Sequence, residues 1–187
     1  MIPVIELVLS LRYELGDMQG LNVSDYELIK PINRAASLLY GTLSEKYVHA
    51  VVKRLPIVVD STKIYSLPSD FVRVHQVVGG KGSISVPASK NPPKEAAYRI
   101  VGNELFVDEG EYTLEYYYIP AKVSRLDDFL DVPESMRTWI EEIALAFYKK
   151  DMNTASGLVR QCEGILAGRE ISHFEDIGPV QVLGGSV

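Results

Sequence analysis

Leu55-Pro56-Ile57-Val58-Val59-Asp60-Ser61-Thr62-Lys63-Ile64-Tyr65-Ser66-Leu67 is the stretch where the chain changes period. Ile57 to Val59 form a β-branched run, Asp60 to Thr62 a polar turn, and Lys63 to Leu67 a short return strand. Everything before the stretch reads as helix, and the next fifty residues read as strand and turn. The order of elements follows from that switch.

Upstream, Val4, Ile5, Val8, Leu9 and Leu11 keep helical spacing and Gly16 supplies a stop, so a helix is expected over about 3–15. Ser24 and Glu27 have the S-x-x-E spacing of a capping box. Ile29, Ile32, Ala36, Leu39, Leu43, Tyr47 and Val51 then mark one face of a long helix over about 24–53. Pro31 either kinks that helix or marks its start.

Downstream, Val72, Val74 and Val78 alternate with Arg73 and Gln76 as a half-buried strand. Gly79, Gly80 and Gly82 turn the chain into a short strand at Ile84 and Val86. Residues 87–95 are a Pro-rich polar loop. Arg99-Ile100-Val101 and Leu105-Phe106-Val107 flank Gly102-Asn103 as a tight hairpin. Tyr112, Leu114, Tyr116 and Tyr118 line one face of a closing strand. A β-insertion over about 55–120, as an antiparallel sheet or sandwich, is the result.

Helix returns over about 132–150, with Asp131 and Glu134 at N-cap and N3 spacing and Pro133 in the first turn. Its apolar face is Met136, Trp139, Ile140, Ile143, Ala144 and Phe147. A last helix is expected over about 154–167, capped by Gly168. The fold class is therefore α+β: a bundle of about four helices with an inserted β-sheet, forming one domain over 1–170. Residues 171–187 lack periodicity, and seventeen extended residues reach roughly 55 Å. Ile171, Phe174, Ile177, Pro179, Val180, Val182 and Leu183 make this tail too apolar for a solvated linker. It packs on its own domain or docks on another chain, and docking is the expectation.

Composition narrows function. A 47% hydrophobic and 24% charged chain has the balance of a globular protein. Net charge −6 disfavours general nucleic-acid binding, which gains from released counterions. Met1 to Leu11 has no basic lead and is interrupted by Glu6, so neither a signal peptide nor a membrane span is expected, and cytoplasmic synthesis is.

Catalytic and metal patterns are not found in the sequence. Cys162 is alone and sits among Leu158, Val159, Ile165 and Leu166, as a small buried hydrophobe would. His49, His75 and His173 fall in three different elements without ligand spacing, so no metal or other cofactor is expected. Gly79-Gly80-Lys81-Gly82-Ser83 lacks P-loop spacing and precedes a strand, where a phosphate cradle needs a helix. Tyr116-Tyr117-Tyr118 has no interleaved basic residues and reads as core or protein interface rather than a base-stacking platform. The expectation is a protein that is not an enzyme.

One run carries a resemblance. Ile64-Tyr65-Ser66-Leu67-Pro68-Ser69-Asp70-Phe71-Val72-Arg73-Val74 is similar to the segment that enters the main strand of the head-to-tail adaptor (connector) proteins of tailed bacteriophages. The helix ending at Leu15-Gly16, the Tyr26–Tyr47 helix, the hairpin around Gly102-Asn103, the Leu114–Pro120 strand and the Val132–Tyr148 helix follow in that family's order. The resemblance covers about residues 1–168. Where relatives often carry a Trp-containing segment, this chain has His49 to Arg54.

The resemblance implies a virion structural protein at the head–tail interface, made in the host cytoplasm. It implies a homo-oligomeric ring of roughly twelve copies below the portal. Genomic DNA would pass through without specific binding. The partners implied are the portal protein and the next tail component, a nozzle or stopper. The tail residues above would dock on the portal. Loop tips at Gly80, Lys81, Gly82, Lys90, Asn91, Pro92 and Pro93 would meet neighbours or the next ring. The alternatives are a tail-side completion protein without portal contact, a cellular binding module, or a hydrolase with a scattered site.

Overall fold

The computed structural model describes residues 1–46, 48–79, 84–87 and 97–175. Strand β1 (Ile2–Pro3) pairs antiparallel with β9 (Phe129–Leu130), and the Val4 N–H donates to the Asp128 carbonyl over 3.1 Å. The N-terminus is thus pinned before helix α1 (Val4–Leu15) begins. Val4, Leu7, Val8 and Leu11 face the core.

The connection out of α1 is built around Asp17. Its carboxylate accepts the backbone N–H groups of Leu21, Asn22 and Val23 and pairs with Arg12 at 3.1 Å. Arg12 also reaches Asp25 at 2.5 Å. A Cβ on Gly20 would stand 3.0 Å from the Arg12 guanidinium, and φ there is +66°, so the position needs glycine.

Helix α2 (Asp25–Glu45) opens with the expected capping box: Ser24 Oγ accepts the Glu27 N–H and Glu27 accepts the Ser24 N–H. Pro31 lies inside this helix and does not mark its start. Ile29, Ile32, Ala36, Leu39 and Leu43 are buried, as the periodicity predicts. The helix is shorter than expected. It ends at Glu45, His49–Val51 form a 3₁₀ turn, and β2 (Val52–Val59) begins there. Val51 continues the helical spacing from Leu43, yet Val52 is the first of eight residues paired with the closing strand. A full ladder to a buried strand overrides local period. Tyr47 lies outside the described residues.

The β-unit comprises β2, β3 (Ile64–Ser66), β4 (Phe71–Gly79), β5 (Ile84–Pro87), β6 (Ala97–Val101), β7 (Glu104–Phe106) and β8 (Gly110–Tyr118), in the order β2-β8-β4-β5-β6-β7-β3. All pairs are antiparallel except β5–β6, which is parallel. The edge strands β2 and β3 are consecutive in the chain. Laid flat, seven strands put their edges roughly 29 Å apart. Residues 60–63 can bridge at most about 17 Å. The sheet therefore curls until its edges approach, which is the sandwich-like form of the expected insertion. Gly102, at φ +59°, turns the β6–β7 hairpin as predicted.

Burial in β4 departs from simple alternation. Register shifts between Phe71 and Arg73 and between Val74 and Gln76 rotate the strand, so Val77 is fully buried while Val78 is partly exposed. Strand β8 is buried on both faces: Leu114, Tyr116 and Tyr118 on one, Glu115 and Tyr117 on the other.

The second helical pair also starts differently. Asp131 does not cap it; Glu134–Met136 form a 3₁₀ turn with Pro133 ahead, and α3 is Arg137–Tyr148. Asp131 is engaged instead by Lys53 of β2. Lys150 takes a left-handed φ of +59°, with its N–H on the Phe147 carbonyl and that of Asp151 on Ala146. Helix α4 then runs Met152–Glu175, longer than expected at both ends. Asp151 accepts the Thr154 N–H at its start. Gly168 does not stop the helix; a helical glycine costs only about 1 kcal/mol and the helix continues past it. One hydrophobic cluster joins the helices to the β-unit.

Candidate functional site

The expected docking positions fall largely beyond what the structure describes. Gly80, Lys81, Gly82, Lys90, Asn91, Pro92 and Pro93 lie outside the described residues, as do Ile177, Pro179, Val180, Val182 and Leu183. Ile171 and Phe174 belong to the last turns of α4, which corrects the expectation that an extended segment begins at residue 171.

Three side-chain groupings that the sequence did not bring together stand at the joints of the fold. The first ties the β-unit to Asp131, in the segment that leads into α3. Lys53 donates to Asp70 at 2.6 Å and also to Asp131, while its amine lies 4.3 Å from the centre of the Tyr118 ring. Tyr116 donates to the other Asp70 oxygen at 3.1 Å, and Tyr118 to the Asp131 carbonyl at 3.0 Å. Burial of Lys53 disfavours its charge, but the hydrogen bonds to Asp131 and Asp70 win and hold it above the ordinary lysine range. Asp70 is the aspartate of the Leu67-Pro68-Ser69-Asp70-Phe71 run. The Phe71 N–H closes a turn on the Pro68 carbonyl, and the Asp70 carbonyl accepts the Ile119 N–H.

The second grouping joins two histidines from separate elements. The His49 and His75 rings meet edge to face with centres 4.5 Å apart, and Tyr117 Oη lies 3.3 Å from His75 Nδ1. The Arg73 guanidinium lies 4.8 Å from the Tyr117 ring centre. Burial, then the neighbouring His49, push the His75 pKa below the usual 6.5. Beside it, buried Glu115 accepts from Arg54 at 2.8 Å and from Gln76. Among the described residues no three His, Cys, Asp or Glu side chains are placed to hold a metal ion.

The third is a groove of about 610 Å³ between α2 and the 122–124 segment. Asn33 fixes its wall, donating to the Val123 carbonyl at 2.8 Å and accepting the Val123 N–H at 2.9 Å. Ile29 and Phe147 contribute apolar floor; Lys30, Arg34 and Lys122 provide three cations, and among the described residues no carboxylate lines it. Lys30 and Arg34, one helical turn apart, were legible as a basic pair; Lys122, far off in sequence, was not.

Cys162 is buried in α4, and burial pushes its thiol up to about 11, as befits a core residue. No described helix is long and apolar enough to cross a membrane. No protein-family model matches the chain, and no curated protein matches it.

Proposed function

We propose that the chain is a virion structural protein of a tailed bacteriophage: a head-to-tail adaptor that assembles as a ring below the portal and joins it to the next tail component. The observation that carries this reading is the Leu67–Phe71 run in its structural setting. That run is the sharpest part of the family resemblance. Here Asp70 ties β2, β4 and β8 together through Lys53 and Tyr116, and Lys53 reaches on to Asp131, ahead of α3.

In this reading the helices build the body of the ring, and the β-unit contacts neighbouring components. The portal-docking segment starts from the end of α4, with Ile171 and Phe174 as its helical root and the following residues as its reach. The acidic balance of the chain, −6, suits a channel through which DNA slides without specific binding. The function needs no cofactor and no chemistry, only contacts.

Peptide mass spectrometry of purified virions from the encoding phage tests the reading. The chain should appear in whole particles in a low, fixed ratio to the portal. Its absence from intact virions that contain portal would refute a structural role.

A further inference from the structure

Helix α1 leaves a second apolar face uncovered. Ile5, Leu9 and Tyr13, spaced i, i+4, i+8, are 43%, 45% and 72% exposed. Phe129, paired with Pro3 just ahead of α1, is also 59% exposed. The next row of α1, Glu6, Ser10 and Glu14, runs alongside, four residues apart on the same helix. Across from it stand Glu134, in the 3₁₀ turn ahead of α3, and Glu141 on α3. Arg137 lies among these four carboxylates, at 2.6 Å from Glu6, with Glu134 beside it and Glu141 at 4.0 Å, and the N-terminal ammonium also acts on Glu134. The face is an apolar stripe with an acidic border. Consistent with that border, burial and the neighbouring Glu134 and Glu14 raise the Glu141 pKa, against the opposing influence of Ser10 and Arg137.

The α2 groove has the opposite character. Lys30, Arg34 and Lys122 are exposed, and none is in an ion pair among the described residues. They surround an apolar floor, with Tyr26 exposed at the rim. A groove of this kind takes an amphipathic helix whose anchors recur at i and i+4. The stripe and the groove share no residue. Two complementary, non-overlapping patches on one chain are the condition for head-to-tail association, which closes into rings when the rotation allows.

We infer that the Ile5–Leu9–Tyr13 face of one copy seats in the Lys30–Arg34–Lys122 groove of the next. The inference rests on the ring reading above in taking a second copy as the occupant. Nucleic acid is the weaker fit to the groove, given the chain's net charge and the apolar floor.

Sedimentation velocity of the full chain over a concentration series at low salt is the test. Self-association should be present. Leu9→Lys, and separately Lys30→Glu with Arg34→Glu, should each weaken it by about tenfold or more at unchanged circular dichroism. Adding Glu14→Lys to the groove reversal should restore part of the loss. On mild oxidation, Tyr13→Cys mixed with Arg34→Cys should give a disulfide-linked pair that neither variant gives alone. A chain monomeric at every concentration overturns the inference, as does association indifferent to these changes or homodimers from Tyr13→Cys alone. A monomer whose groove binds a polyglutamate peptide or an oligonucleotide assigns the groove to another partner and likewise overturns it. Virion composition is read independently, so failure here leaves the adaptor reading to its own test.

Discussion

Lys150 holds a conformation that favours glycine, at φ +59° after α3. Lys150→Gly should stabilise the protein by about 0.5–1 kcal/mol, read as a higher urea midpoint at unchanged slope. Asp17 is the reverse case, a side chain whose position is fully used. Burial would raise its pKa, but the N–H groups of Asn22, Val23 and Leu21 outweigh that and lower it. Asp17→Ala should lower the melting midpoint well beyond Asp60→Ala, whose carboxylate serves an exposed two-residue turn. His75 sets a pH window. Its pKa is depressed in the folded chain, so the unfolded chain takes up a proton first as pH falls through 6.5. Stability is therefore lost on acidification through that window, before the carboxylates titrate. His75→Gln should flatten the melting temperature against pH there; an unchanged slope would assign the loss elsewhere. These residues were unreadable in sequence as a group, because His49 and His75 lie on different elements and only the β2–β8–β4 ladder brings them together.

At the scale of elements, the caps and turns spelled by short local motifs were legible: Ser24 with Glu27, Gly16, and Gly102-Asn103 form as read. Boundaries set by distant partners were not. The end of α2 is dictated by the pairing of Val52 with Tyr117, and Asp131 is drawn from a capping role by Lys53. The bulges in β4 hide its inward residue from a period-two reading. The expected docking residues were read from composition, and only Ile171 and Phe174 have a described place, at the end of α4. A chain ending at Gly168 should lose about two turns of helix by circular dichroism, where an extended tail would cost none. Lys53→Met should destabilise by roughly 1–3 kcal/mol, since it leaves the mostly buried Asp70 carboxylate without its cation.

Over the whole molecule, one hydrophobic core runs through the helices and the curled sheet. The α+β order was legible because the change from helical to strand period at Leu55-Pro56 and the return at Asp131 are both abrupt, although the strand itself begins at Val52. What the described part of the fold presents outward follows from what the core leaves over: an apolar α1 stripe and a basic α2 groove. The buried Cys162 adds a check on that body, because its thiol should resist alkylation until the protein unfolds. The central proposal is that this body seats on a portal. Mixing the purified chain with the portal from the same phage and imaging by negative stain tests it most directly. An additional ring at the narrow end of the portal is the predicted result; portals that remain bare at concentrations well above micromolar would contradict it.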